Sequence, residues 1–148
     1  MERVREKHQK LGSLLLMEPI KSGAYKRALE KRGPSIHHIA IDVLNLELYL
    51  KSITHSGWLL HLASLTTIKD IQTAYLARPG FPALIEVQGK KELVKMSQTP
   101  FVNQLNLPFD LKLKRLIEPI GCRKIIVNSK KEISLKLDKI IILLNDLI

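Results

Sequence analysis

The chain has 148 residues, of which 45% are hydrophobic and 26% are charged. This length favours one domain with a substantial core. No apolar run approaches the length of a membrane span, and the first residues lack the apolar core of a signal peptide, so we expect no membrane partner. The single cysteine, Cys122, excludes an internal disulfide framework and fits the reducing environment of the cytoplasm.

The net charge of +10 raises the question of nucleic-acid binding. Residues 1–33 hold nine Lys and Arg against four Asp and Glu, and residues 89–148 hold twelve against six. Residues 34–88 hold only three against four. Because no binding motif or interleaving of aromatic residues accompanies the basic flanks, we expect solvated surfaces rather than a nucleic-acid partner. A phosphate-bearing ligand, such as a CoA ester, is the alternative.

Two stretches of alternating apolar and polar residues predict half-buried strands, PSIHHIAIDV at residues 34–43 and ALIEVQ at residues 83–88. Since side chains alternate between the faces of a strand, each has one apolar face and one face with a metal-binding type of residue. These residues are His38 in the first strand and Glu86 in the second. A His and a Glu on one sheet face suit a divalent cation with open coordination positions, so both are candidate metal ligands.

The residues between these strands predict one supersecondary unit. Helical spacing over residues 45–56 follows Asn45, a suitable N-cap. Residues 58–63 and 73–77 read as two further strands, and Arg78-Pro79-Gly80 is a turn signal before the last strand. The predicted order is therefore βαβββ, from about residue 35 to residue 88.

The segments GPSIHHIAIDVLNLELYL, at residues 33–50, and ARPGFPALIEVQ, at residues 77–88, resemble the second module of the vicinal oxygen chelate superfamily. This superfamily includes glyoxalases, methylmalonyl-CoA epimerase and ring-cleaving dioxygenases. Upstream, SLLLMEPI and YKRALEKRG resemble the strand and linker that close a first module. The resemblance implies an α+β fold in which βαβββ modules form a cupped mixed sheet. It also implies that His38 and Glu86 occupy metal-ligand positions.

The sequence departs from the family at the remaining ligands. The third ligand position aligns with Leu15, and alternation puts Glu18 on the opposite face. The fourth ligand belongs to a strand with no counterpart upstream in this sequence. The resemblance implies a metal-dependent lyase or isomerase that acts on a small oxoacid or acyl thioester, with a divalent metal ion of unassigned identity. The alternative is a non-catalytic small-molecule-binding or assembly module whose incomplete site binds no metal.

Other polar residues of the predicted unit have competing interpretations. His37 is expected to face the helix and to be structural, whereas His61 either faces the cup or is structural. Tyr75, Arg78 and Gln72 are further candidates to line the cup. Neither the residues nor the resemblance assigns a catalytic base, and the sequence leaves open whether the chain is an enzyme.

We divide the chain into three parts. Residues 1–33 are interpreted as the end of a first module, residues 34–90 as the βαβββ module, and residues 91–148 as a C-terminal extension. The extension is either a degenerate module that replaces a missing first half, or an unrelated subdomain or dimerisation arm. We expect a small-molecule ligand and a homodimer.

Within the extension, apolar residues at helical spacing predict a helix that ends at Gly121. Residues 124–128, 133–137 and 140–144 predict short strands. Three consecutive isoleucines in the last of these strands favour its burial, either within the chain or against a partner.

Overall fold

The structure is a computed structural model, and it describes residues 18–33, 35–91, 104–107, 111–122, 125–127, 133–137 and 140–143. Within these ranges the chain forms two mixed sheets and three α-helices. The predicted α+β class is therefore confirmed. The strand predicted around Leu15 lies outside the described residues.

The first sheet, here called sheet A, is formed by residues 38–89. Its strands are β1 (His38–Val43), β2 (Leu59–Leu60), β3 (Thr66–Ile68), β4 (Ile71–Ala77) and β5 (Leu84–Gly89). The strand order is β1-β5-β4-β2, and β3 also pairs with β4. Strand β1 is parallel to β5, whereas β4 is antiparallel to each of its partners. Parallel neighbours need a crossover connection, and this one contains the helix α2 (Leu46–Ser52).

The region between α2 and β4 differs from the prediction. Only Leu59–Leu60 of the predicted strand at 58–63 is a strand, and Leu62–Ser64 forms a 3₁₀-helix. The Ser64 hydroxyl accepts a hydrogen bond from the Tyr75 N–H at 2.8 Å. The Ser64 hydroxyl thus takes the place of a backbone carbonyl of a neighbouring strand as hydrogen-bond acceptor. Short polar side chains readily bond to backbone groups in this way.

An additional hairpin joins β3 to β4, and its turn residues explain why the sequence did not reveal it. Lys69 and Asp70 have φ of 48° and 66°, between the paired residues Ile68 and Ile71. Two central residues with positive φ form the primed turn that suits a two-residue hairpin, usually signalled by Asn-Gly or Asp-Gly. Lys-Asp lacks that signal. As a result β4 begins at Ile71, two residues before the predicted start.

Helix α2 begins as predicted and ends earlier. The Asn45 side chain accepts a hydrogen bond from the Leu48 N–H at 2.9 Å, so the predicted N-cap is confirmed. The helix ends at Ser52, and positive φ at His55 and Gly57 turns the chain toward β2. Upstream, α1 (Ala24–Arg32) precedes β1. None of the helices in the described ranges is long and apolar enough to cross a membrane.

The second sheet, sheet B, lies in the C-terminal extension. It contains β6 (Gln104–Leu107), β7 (Ile125–Val127), β8 (Ser134–Leu137) and β9 (Ile140–Leu143), in the order β7-β6-β8-β9. Helix α3 (Leu111–Ile117) connects β6 to β7, and a 3₁₀-helix after it ends at Gly121, as predicted. The element order resembles that of sheet A, but β6 lies between two strands whereas β1 lies at an edge. Sheet B therefore does not repeat the strand order of sheet A.

The core lies between sheet A and its helical cover. Strands β4 and β5 contribute Ala74, Leu76, Ile85 and Val87 at 0–1% exposure, and Leu107 of the extension is equally buried. The same cluster includes Leu46 of α2 and continues into the extension through Leu107, Ile117 and Ile120. The extension therefore shares the core of sheet A.

Three long-range hydrogen bonds attach α3 and its 3₁₀-helix to sheet A. Trp58 Nε1 and Arg78 Nη1 both donate to the Leu116 carbonyl, at 2.9 and 3.0 Å, and Tyr49 OH donates to the Ile120 carbonyl at 2.9 Å. Carbonyls in the last turn of a helix have no partner within the helix. Side chains from the sheet A region satisfy these two.

Gly89 allows α2 to approach β5 closely. A Cβ atom on Gly89 would lie 2.9 Å from Leu46 Cβ and 3.3 Å from the Leu46 backbone nitrogen. We expect Gly89→Ala to lower the free energy of unfolding by about 1–3 kcal/mol, because the start of α2 must move away from the sheet. Urea unfolding checks this, with Gly23→Ala as the control because nothing lies within 4 Å of its Cβ position. Equal losses in both variants would contradict the close approach.

Tyr49 predicts how stability changes in alkali. Burial, and then the neighbouring Cys122, raises the pKa of Tyr49 from 10.0 to about 12. The stability that the raised pKa of Tyr49 reflects is fully present below pH ~10, the pKa of an unfolded tyrosine. It is lost as the pH rises to ~12. We expect Tyr49→Phe to weaken the stability loss between pH 10 and 12, and to cost about 1 kcal/mol at pH 7 by removing the bond to Ile120.

Urea unfolding at several pH values checks the Tyr49 prediction. The control is Tyr25→Phe, which removes a tyrosine that is 44% exposed. A Tyr49→Phe variant with the same alkaline loss as the unmodified chain would show that this hydroxyl is not the group responsible.

Candidate functional site

The candidate site lies on the side of sheet A that faces away from α2, here called the open face. The register aligns Ala40 with Glu86, and Glu86 with Tyr75. His38 lies two residues before Ala40 in β1, so the pleat brings it to the same face. The alternation predicted from the sequence for β1 and β5 therefore brings His38 and Glu86 together.

Glu86 is the centre of a hydrogen-bonded cluster. His38 Nε2 lies 3.1 Å from Glu86 Oε2, and the two side chains are 19% and 13% exposed. Tyr75 OH donates to the same oxygen at 2.9 Å, and Gln88 Nε2 donates to Oε1 at 2.8 Å. Both carboxylate oxygens thus have protein donors. A largely buried carboxylate needs such partners, because an unpaired buried charge is costly.

His37 contacts the far side of the His38 ring. The two Nδ1 atoms are 3.1 Å apart, so one ring donates and the other accepts, as their tautomers decide. The His37 ring also contacts Tyr25 of α1, with ring centroids 4.4 Å apart. Burial, followed by the charges of His38 and Arg32, lowers the pKa of His37. These contacts fit the expected structural role of His37, although the helix that it meets is α1 rather than α2.

Tyr75 is held in its protonated form by its surroundings. Burial is the main cause, and the hydrogen bond to Glu86 and the charge of Glu86 add to it, raising the pKa of Tyr75 to about 12. Tyr75 is therefore a hydrogen-bond donor at neutral pH. The sequence had suggested that Tyr75 lines the cup, and the structure gives it a place beside Glu86.

The other predicted lining residues lie elsewhere. Gln72 pairs with Gly89, on the face covered by α2, so its predicted place in the cup is wrong. Arg78 follows β4 and reaches the Leu116 carbonyl of α3 instead. His61 is exposed at the end of β2, and its backbone N–H donates to the Tyr75 carbonyl at 3.0 Å.

The sequence did not indicate the contacts that two residues, Gln88 and Tyr25, make around the cluster. Gln88 had a usable signal, since alternation along β5 places it on the same face as Glu86. No sequence signal indicated Tyr25, because its contact with His37 depends on where α1 lies relative to β1.

The His38–Glu86 pair has the spacing of two ligands on one cation. Metal–ligand bonds of about 2.1 Å at angles of about 90–110° separate neighbouring ligand atoms by roughly 3.0–3.4 Å. The observed 3.1 Å falls in that interval. Among the described residues, no group of three or more His, Cys, Asp and Glu side chains is placed to hold a metal ion. The 3.1 Å separation is also that of an ordinary hydrogen bond, so the described residues offer at most two ligands to a cation.

Exposed aliphatic side chains flank the polar cluster. Ile68 and Ile71, paired across the hairpin, share the open face with Tyr75, and they are 69% and 36% exposed. Leu59 pairs with Ala77 on this face and is 59% exposed. We call Leu59, Ile68 and Ile71 the aliphatic rim. A polar centre beside an exposed apolar rim is typical of a surface that binds a ligand or a partner.

Comparison of the chain with protein-family models, with curated proteins and with solved structures finds no match in any of the three. The resemblance to the vicinal oxygen chelate superfamily therefore stays an interpretation of the sequence. Function has to be argued from the site, since fold alone does not fix it.

Proposed function

We propose that the open face of sheet A is half of a metal and substrate site of the vicinal oxygen chelate type. The chain would then be a metal-dependent lyase or isomerase that acts on a small oxoacid or acyl thioester. The observation that carries the proposal is the 3.1 Å separation of His38 Nε2 and Glu86 Oε2 on the face of sheet A opposite α2. The remaining coordination positions are assigned to water, to substrate or to residues of a second copy.

The residues around the pair suit this role. Ligand histidines usually donate their second ring N–H to a neighbouring acceptor, which fixes the tautomer. Here the second nitrogen of His38 lies 3.1 Å from His37 Nδ1, and a neutral His37 ring provides an acceptor. Gln88 holds the second oxygen of Glu86 at 2.8 Å and so fixes the orientation of the carboxylate.

A bound divalent cation would polarise a carbonyl oxygen and make the neighbouring C–H group easier to deprotonate. Tyr75 contributes a protonated phenol beside the site. Its single O–H proton is donated to Glu86 Oε2, so Tyr75 would have to release Glu86 in order to donate to an oxygen that becomes negative. Its raised pKa makes it a poor general base at neutral pH. The proton-accepting base is therefore assigned to a group other than Tyr75.

Metal content tests the proposal directly. We expect the chain, purified without a His tag or chelator, to hold one divalent cation per completed site. His38→Ala and Glu86→Gln should each weaken binding by about tenfold to 100-fold or more, because each removes one of two ligands. Elemental analysis and titration with zinc, nickel and manganese provide the measurement.

The control for the metal experiment is His55→Asn. It removes an exposed imidazole far from Glu86 in the chain, and Asn tolerates the positive φ of 67° at this position. Metal binding that falls equally in His55→Asn, or that is absent from the unmodified chain, would overturn the proposal.

The alternative function is a non-catalytic module that binds a small molecule or a second copy through the open face. The observation that favours it is that both Glu86 oxygens already accept hydrogen bonds from Tyr75 and Gln88. Such a cluster is satisfied without a cation. The aliphatic rim beside it would gain from being covered, since burial of apolar surface drives association.

The assembly alternative predicts a concentration-dependent homodimer through the aliphatic rim. We expect the double variant Ile68→Thr/Ile71→Thr to raise the dimer dissociation constant by at least about tenfold, since it removes apolar surface and keeps the β-branched shape. Sedimentation equilibrium measures this constant. The control is Ile140→Thr on β9, since Ile140 is 64% exposed and Ile68 is 69% exposed. Dissociation caused by Ile140→Thr alone would place the interface on sheet B and contradict the rim.

A further inference from the structure

A concave region lies beside the Glu86 cluster, where the end of α1 meets the turn between β4 and β5, and His37 belongs to its lining. It encloses about 210 Å³ and is lined by Arg32, His37, Arg78, Phe81, Pro82 and Leu84, with alanines beside them. We call it the arginine cleft. Drug-sized ligands occupy pockets of roughly 300–1,000 Å³, so this cleft suits a fragment such as one ring or a short acyl chain.

The polar lining of the cleft is positive. Arg32 is exposed at the last position of α1, and Arg78 directly follows the end of β4. In the described part of the chain, no carboxylate forms an ion pair with either guanidinium. Two guanidinium groups without an anionic partner on one small cleft make a site for an anion from outside.

Arg78 is held in place in the cleft. Its Nη1 donates to the Leu116 carbonyl at 3.0 Å, and this bond uses one of the five N–H groups of the guanidinium. The guanidinium also lies against Gly57, where a Cβ atom would come within 3.2–3.3 Å of Cζ, Nη2 and Nε. A positioned guanidinium binds an anion better than a free one, because less side-chain entropy is lost on binding.

The remaining wall is apolar. Phe81 is 9% exposed and its ring contacts Trp58 edge to face, with centroids 5.3 Å apart. This contact fixes the Phe81 side of the cleft. Pro82 adds a rigid apolar surface next to it.

We propose that the arginine cleft binds a small organic anion, a carboxylate or phosphate monoester attached to an apolar group. The anionic end is bound by Arg32 and Arg78, and the apolar end lies against Phe81 and Pro82. The proposal does not need a bound metal, because neither arginine contacts Glu86, although His37 in the lining contacts His38. It also gives a specific place to the phosphate-bearing ligand that the basic composition left open.

The test uses benzoate and phenyl phosphate as probes, and neutral benzamide as the matched control ligand. Calorimetric titration of the full chain, freed of metal on a chelating resin, measures binding. We expect saturable binding of at least one anion and none of benzamide. Tighter binding of benzoate identifies a carboxylate site, and tighter binding of phenyl phosphate identifies a phosphate site.

Substitutions of the two arginines test whether the anions bind in the arginine cleft. Arg32→Gln should weaken binding of the preferred anion by about tenfold, since it removes one charge-assisted contact. Arg78→Lys keeps the positive charge but loses the planar guanidinium that can donate two parallel hydrogen bonds. We therefore expect a smaller loss of affinity than in Arg32→Gln. The control is Arg27→Gln, which removes the same charge from an exposed position earlier in α1. Thermal melting checks that each variant is folded.

The outcomes separate a built site from general attraction to a basic chain. A loss in Arg32→Gln that exceeds the loss in Arg27→Gln by fivefold or more supports the cleft. Equal losses in both variants, equal binding of benzamide, or no saturable binding of either anion would overturn the proposal. Because the protein is free of metal throughout, failure here is independent of the metal experiment.

Discussion

The parallel pairing of β1 with β5 is the constraint on which the rest of the structure depends. Parallel strands cannot be joined by a tight turn, so the chain has to cross over, and α2 belongs to that crossover. The same register that aligns Ala40 with Glu86 buries Ile85 and Val87 under α2. A shift of one residue would exchange the two faces. One pairing thus decides both the core and the His38–Glu86 contact.

The structure depends next on two carbonyls, one in the last turn of α3 and one at the end of the 3₁₀-helix that follows it. Leu116 O receives donors from Trp58 and Arg78, and Ile120 O receives one from Tyr49. These bonds hold α3 and its 3₁₀-helix against the region of sheet A, where Ile117 and Ile120 join the core cluster. Arg78 therefore has two roles, since the contact that holds α3 also positions its guanidinium in the arginine cleft.

Period-two alternation made the strands β1 and β5, and the shared face of His38 and Glu86, readable from the sequence, because each strand has one buried side. The hairpin at Lys69 and Asp70 was not readable, since its positive φ values arise without Asn or Gly. Gln72 was placed on the wrong face for a related reason. The predicted strand began at residue 73 and left Gln72 outside it, whereas in β4 alternation from the buried Ala74 and the pairing with Gly89 put Gln72 on the face of α2. The side chains that surround Glu86 likewise depend on how its strand pairs with β1 and β4.

The metal and assembly proposals differ in what completes the Glu86 environment. In the described structure the carboxylate has three donors, from His38, Tyr75 and Gln88. A cation would replace the His38 proton and weaken the Tyr75 contact, so its binding must exceed the free energy of those hydrogen bonds, about 1–3 kcal/mol each for charged acceptors. Two protein ligands alone would supply little binding free energy beyond that of the hydrogen bonds they replace. Metal binding at this face therefore depends on additional oxygen or nitrogen ligands, and a chelating substrate or a second copy would supply them.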